Sequence, residues 1–321
     1  MKLHAERGSA AEDAVAAAAF RSRPTAMGPS DSGVPSLDAL RAVIDRRLDE
    51  LSPAESSPPE QLHAAMRYGL LGPGKRIRPL LTLAASAQIG GDWRAALDVA
   101  CAVEMIHAAS LVIDDLPCMD AADVRRGRPS VHRRFGESTA ILTGIALLNQ
   151  AFGVIAGTKT IDAKLRIDLV SLVAGAIGST GLVAGQQKDL HDRHALADAD
   201  ALAEFNEQKT GMLFVAAVES GARVAGAKDD QVYAMRRFAN HLGHAFQICD
   251  DLHDECTAQH SEPEALAHKP SLVSVLGVGE AEAAIRGHLQ GALAALDECR
   301  GTRPLLQAVL HATFPAYLGR A

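Results

Sequence analysis

Two aspartate clusters stand at the ends of apolar segments, and they restrict what this chain can fold into. Ser110-Leu-Val-Ile113 runs into Asp114-Asp115-Leu-Pro-Cys-Met-Asp120, and Ala245-Phe-Gln-Ile-Cys249 runs into Asp250-Asp251-Leu-His-Asp254. Carboxylates at the end of a segment that must be buried are costly unless cations neutralise them. The fold therefore has to bring basic groups, a metal ion, or both, to the place where these segments end. Hard cations such as Mg²⁺ take carboxylate oxygens and bridge to substrate phosphates.

The spacing within each cluster fits that requirement. Asp250 and Asp254 lie one helical turn apart and share a helix face, where their repulsion would be relieved by a bound cation. Asp114 and Asp120 would fall on different faces of a continuous helix. Pro117 breaks the helix and lets the chain turn Asp120 back toward Asp114. A plain acidic helix end is a poor alternative there, because negative charge at a helix C-terminus opposes the macrodipole.

Apolar residues recur at helical spacing at Leu37, Leu40, Val43, Ile44, Leu48 and Leu51. Similar patterns predict helices over Leu80–Ile89, Ala95–Ile113, Ser138–Ile155, Lys164–Ala184, Asp198–Ala225, Gln231–His253, Gly279–Glu298 and Pro304–His311. Strand signatures are nearly absent, so the reading is all-α: a single large helical-bundle domain over residues 36–321. Residues 1–35, rich in Ala, Ser, Pro and Gly, are expected to be a flexible tail, and Thr257 to His268 a flexible loop. Aromatics make up only 4% of the 321 residues, which points to an aliphatic core. The net charge of −7 argues against nucleic acid as a partner. No apolar run reads as long enough to span a bilayer, and no secretory pattern opens the chain. Cys101, Cys118, Cys249, Cys256 and Cys299 make no CxxC pair, which fits reduced thiols and a cytoplasmic protein. Cys118, a poor ligand for Mg²⁺, is expected to fill space.

Basic residues gather at three places. Lys75, Arg76 and Arg78 follow Gly72-Pro-Gly74 in what resembles a phosphate-gripping turn, without Walker spacing. Arg125-Arg126-Gly127-Arg128 follows the first acidic cluster, and Lys209-Thr210 interrupts a helical pattern. His107 precedes Asp114 by two helical turns and can face the same cavity. Gln247 precedes Asp250 by one turn, and Gln186 and Asp189 fall near a helix end. Such amides either donate hydrogen bonds to a diphosphate or, for Gln186, cap the helix.

Together these residues resemble the trans-prenyl diphosphate synthases, from about Leu62 to Gly277. Gly74-Lys-Arg-Ile-Arg-Pro79, the first acidic motif, Arg125-Arg-Gly127, Gly185-Gln186, Lys209-Thr210 and Phe246-Gln247 leading into Asp250-Asp251-Leu-His-Asp254 stand in that family's order. Glu104 to Asp120 and Ile141 to Ile155 are most similar to bacterial geranylgeranyl diphosphate synthases of carotenoid-type pathways. The resemblance implies an isoprenoid-synthase fold with a central cavity, a homodimer, and isopentenyl and allylic diphosphates as substrates. It implies that Lys75, Arg78, His107 and Arg126 hold isopentenyl diphosphate, and that Arg125, Lys209, Thr210, Gln247 and Lys269 contact the allylic diphosphate. It further implies that Asp114, Asp115, Asp120, Asp250, Asp251 and Asp254 organise three Mg²⁺ ions. Asp114, Asp115, Asp120, Lys209 and Asp250 would carry the catalysis. Ala109 and Ser110, small residues just before Asp114, would leave room for a twenty-carbon product.

Two departures stand out. His260-Ser261-Glu262 replaces the family's Gly-Lys-Asp in the loop after the second motif, and Ile145 stands where many relatives carry Asp. The loop keeps a weakly active regulatory subunit in view, beside a farnesyl diphosphate synthase. Six clustered carboxylates argue against the former. A terpene cyclase would not need the Lys75 and Arg78 cations, and it would use more aromatics.

Overall fold

The computed structural model describes residues 35–191, 202, 206–258, 271–299 and 305–318. The predicted tail, almost all of the loop after the second motif and Lys269 lie outside the described residues. The first apolar stripe forms α1 (Leu37–Leu51), opened by the Ser36 hydroxyl, which accepts from the Ala39 N–H at 3.2 Å. Its buried residues are Leu40, Ile44 and Leu48, so the helical period read from the sequence is the face that packs. Next come α2 (Glu60–Leu70), α3 (Ile77–Ile89), a 3₁₀ turn at Trp93–Ala96 and α4 (Leu97–Asp114). After the hairpin β1 (Val124–Arg125) and β2 (Arg128–Pro129) follow α5 (Val131–Phe135), α6 (Glu137–Gly157), α7 (Ala163–Ile177) and α8 (Leu182–His191). A π-helical turn at Glu207–Gly211 leads into α9 (Met212–Val224). The described chain ends with α10 (Asp229–Ala258), α11 (Leu272–Leu276), α12 (Val278–Glu298), α13 (Leu305–Thr313) and α14 (Pro315–Leu318).

The all-α expectation holds. Helices α4 and α9 are buried on nearly every side: Val99 to Ile106 form an unbroken buried run, as do Ala216 to Ala222. They lie at the centre, with α4 against α6 and α3, and α9 against α3 and α10. Gly221 sets how closely α9 crosses α3, because a Cβ there would stand 2.0 Å from the Thr82 carbonyl oxygen. Both carboxylate motifs are placed by this layer, at the end of α4 and in the last third of α10.

The structure corrects several expectations. The helix predicted over Lys164–Ala184 is interrupted between Ile177 and Leu182, where Gly181 meets the Ala176 carbonyl so closely that a Cβ would lie 2.0 Å away. The apolar period runs on through that break, so periodicity alone could not show it. The Arg125-Arg126-Gly127-Arg128 stretch is a hairpin, with Arg126 and Gly127 at φ 53° and 71°. Two successive positive φ values make the tight turn that two-residue hairpins favour. Cys118 is exposed and fills no core space. Three helical stretches, Trp93–Asp114, Glu137–Gly157 and Ala163–His191, are long and apolar enough to cross a membrane, against the sequence reading. A helix buried on every side of a large helical domain has the same composition as a span. The first stretch illustrates this, with 67% of its apolar window buried in the protein itself.

Gly221→Ala should lower stability by about 1–3 kcal/mol, the usual cost of overpacking a core. Urea denaturation checks this; an unchanged midpoint would show that α3 and α9 can separate freely.

Candidate active site

The cation side is built where α2 hands over to α3. Arg76, at φ 52°, is not available to a ligand: only 5% of it is exposed. It donates to Glu104 at 2.8 Å, to Asp45 at 2.7 Å and to the Gly72 carbonyl at 3.1 Å. The expected grip by three neighbouring cations is therefore a grip by two, with Arg76 as the bolt. Lys75 lines a cavity beside Phe246 and Asp250, and Arg78 lines a second, polar cavity that shares those two residues.

Arg78 lies over the Phe214 ring, 4.5 Å from its centre, and its buried Nε has no partner among the described residues. Burial pulls its pKa down to about 10, with Glu104 and Asp250 opposing and Arg126 adding to the effect. The hairpin turn carries Arg126 across to Pro73, whose carbonyl accepts at 3.1 Å. His107 Nε2 lies 3.4 Å from both Arg78 and Arg126. Burial, then Arg78 and Arg126, hold His107 well below the usual histidine range, so it is neutral and its Nε2 accepts. Two guanidiniums and an imidazole share this pocket with too little counter-charge, an arrangement that invites an anion.

The carboxylates face them. The Asp120 N–H donates to the Asp114 carbonyl at 2.9 Å, which closes the turn that Pro117 predicts. Asp114 and Asp250 line the polar cavity. Asp115, only 2% exposed, accepts from Arg125 at 2.9 and 2.5 Å and so positions that guanidinium. Asp251, 7% exposed, accepts from the Gln247 amide at 2.9 Å. The side chain of Asp254 lies outside the described residues. Each motif thus commits at least one carboxylate to a protein partner. Among the described residues no group of three or more His, Cys, Asp or Glu converges to hold a metal. The donor chemistry still suits a hard divalent cation, because Asp114, Asp120 and Asp250 offer carboxylate oxygens alone. Burial, with Asp120 and Asp115 adding repulsion, pushes Asp114 up to about 6 against the pull of Lys209 and Arg125. A carboxylate so raised is short of positive charge.

The π-helical turn presents Lys209 and Thr210. Lys209 pairs with Asp189, whose side chain is 1% exposed, a partner whose role the sequence reading missed. Thr210 donates to Gln247 Oε1 at 2.8 Å. Gly185 allows the approach of α8, since a Cβ there would lie 2.5 Å from the Lys209 nitrogen. Its neighbour Gln186 does not act as a helix cap. It is 9% exposed, and neither its Oε1 nor its Nε2 has a partner among the described residues. Unpaired buried polar groups cost roughly 1–3 kcal/mol each.

The polar cavity has a volume of about 340 Å³ and adjoins an apolar one of about 540 Å³. The apolar cavity is walled by α4 and α6, from Ala109, Ser110 and Gly144 past Leu148 to Phe152, and by the end of α7 and α8. Four residues line both: Ser110, Asp114, Leu182 and Gln186. A molecule with an anionic head and a long hydrocarbon tail fits this pair of spaces.

Comparison with known proteins agrees with that shape. The model of the polyprenyl synthetase family matches residues 59–267. A geranylgeranyl diphosphate synthase from Pantoea ananas is 45% identical over 255 residues, covering 79% of this chain and 84% of that protein. One from Pseudescherichia vulneris is 40% identical, covering 80% of this chain and 84% of that protein. Among solved structures, an FPP/GFPP synthase from Zymomonas mobilis superposes with a TM-score of 0.77 at 34% identity, covering 88% of this chain and 96% of that one. The extent of these matches, and a site assembled from the family's motifs in order, place this chain in the polyprenyl synthetase family.

Proposed function

We propose that this protein is a Mg²⁺-dependent geranylgeranyl diphosphate synthase. It joins isopentenyl diphosphate to the allylic dimethylallyl, geranyl and farnesyl diphosphates until twenty carbons are reached. The observation that carries this reading is the junction of a cation- and carboxylate-lined cavity with an apolar one about 540 Å³ in volume.

Arg78, Arg126 and neutral His107 hold the isopentenyl diphosphate, with Lys75 reaching it from the neighbouring cavity. Arg125, fixed by Asp115, and Lys209 with Thr210 and Gln247 hold the allylic diphosphate. Asp114, Asp120 and Asp250 would hold magnesium, which when bound supplies charge against the departing diphosphate. The allylic C1–O bond breaks and its electron pair leaves with diphosphate. C4 of the isopentenyl double bond then attacks C1, and the proton lost from C2 of the isopentenyl unit goes to an oxygen of the departed diphosphate. The apolar walls keep water from the cation. Ala109 and Ser110 leave the first part of the tail cavity open, which supports a product longer than fifteen carbons. Retained carboxylates and cations favour an active enzyme over a regulatory subunit. The half-exposed Ile141, Leu142 and Ile145 on α6 and Val183 on α8 form a surface suited to a second copy, supporting a homodimer.

Mass spectrometry of products from isopentenyl diphosphate and each allylic starter tests the reading. A dominant twenty-carbon diphosphate, lost on chelation of Mg²⁺, is expected; no product from any starter would overturn it. Ala109→Tyr should cut the yield of that product at least about tenfold in favour of fifteen carbons. An unchanged product would place the stop elsewhere. Because Asp114 must be ionised to hold a cation, kcat/KM should fall as pH drops below about 6, and added Mg²⁺ should move that midpoint lower. In the metal-free protein the sign for folding is opposite. Stability linked to protonated Asp114 is present below about pH 4 and lost as pH rises through about 6.

A further inference from the structure

Gln186 occupies a place in the site that none of the binding roles above uses. Of the four residues lining both cavities, Leu182 is apolar and Asp114 belongs to the first acidic motif. Ser110 spends its hydroxyl on the His107 carbonyl at 3.0 Å. Gln186 is left as the junction's neutral dipole, 9% exposed and with both amide atoms unpartnered among the described residues. The contrast with Gln247 is direct. That amide is satisfied on both sides, accepting from Thr210 at 2.8 Å and donating to Asp251 at 2.9 Å. Gly185 fixes the neighbouring backbone against Lys209, so the height of α8 at the junction is set by packing.

A buried amide without a partner in the folded protein has its hydrogen-bonding capacity in reserve for something that arrives. What arrives at this boundary, on the prenyl-transfer reading on which this inference rests, is the allylic carbon whose bond to diphosphate breaks. Its head must lie among the cations and its tail among the aliphatic side chains, so the carbon between them sits at the boundary. We propose that Gln186 is a catalytic residue, its amide oxygen turned toward the positive charge that develops on the allyl group. Bond-making is unchanged by it. The C1–O electron pair leaves with diphosphate, C1 takes its new bond from the isopentenyl double bond, and the amide forms no covalent bond. Chemistry explains the residue type. A carboxylate at that place would be nucleophilic enough to capture the cation as an ester, and a guanidinium would repel it. An amide oxygen offers partial negative charge with weak nucleophilicity, positioned before reaction, which is how fixed dipoles stabilise a transition state.

The test compares two ligands of equal chain length, each bound with Mg²⁺. One is an allylic diphosphate analogue in which the charge-bearing carbon is a protonated tertiary amine. The other is the uncharged thiolodiphosphate. Gln186→Met keeps length and removes the dipole. It should weaken the ammonium analogue about tenfold or more, lower kcat, and leave the thiolodiphosphate affinity within about threefold. Gln186→Glu, which restores an oxygen at the same reach, should regain binding of the ammonium analogue. Equal weakening of both ligands, weakening of neither, or failure of the Glu variant to recover the ammonium analogue would each overturn the assignment. If wild-type protein binds neither ligand and transfers no prenyl group, the underlying reading falls and this inference with it. An active wild type with an unaffected Met variant would sink the Gln186 role alone.

Discussion

The buried ion pair between Arg76 and Glu104 is the constraint from which the rest of the cation side follows. Arg76 is 5% exposed and Glu104 2%, and Asp45 from α1 completes the set. The three residues tie α1, the start of α3 and the middle of α4 to one another. Removing one partner of such a pair typically costs about 3–5 kcal/mol, because the other charge is left buried. Arg76 has a left-handed backbone, and the cations before and after it in the chain, Lys75 and Arg78, face different spaces. Lys75 falls to one cavity and Arg78 to the other. One neutralised arginine thus presents two cations that are not neutralised.

That separation of charge runs through the whole site. Arg78 and Arg126 are held with pKa values below the usual arginine range, each by burial first, while Asp114 is held above the usual carboxylate range. Positive and negative groups line one cavity, and only some of them pair, as Arg125 does with Asp115 and Lys209 with Asp189. The folded protein carries this electrostatic strain, and a polyanion arriving with a divalent cation would relieve both kinds of charge at once. The apolar cavity contributes in the other direction, by removing hydrocarbon from water.

Much of this was legible in the sequence wherever the information is local. Helical period located α1, α4, α6, α10 and α12 to within a few residues. Pro117 announced the turn that ties Asp120 to Asp114, because a missing N–H and a fixed φ act on the nearest residues. What the sequence could not show is partner choice across the fold. Nothing near Asp115 marks it for Arg125, and nothing near Asp189 marks it for Lys209. Arg76 and Arg78 are the same residue type one position apart from each other's neighbour, yet one is structural and the other faces a cavity. The Arg125–Arg128 hairpin was hidden for a different reason: strands of two residues are too short to show a period. The four-residue break before α8 escaped because the apolar pattern passes through it undisturbed.

Ile145 has a double exposure. It lines the apolar cavity and is 51% exposed on α6. The side chain that borders the tail-shaped space is thus also part of the exposed surface of α6. Selection acting on the outer surface, for association or for solubility, alters the bore of the cavity at the same stroke. On the proposed reading, bore and outer surface would then change together, as two sides of one helix.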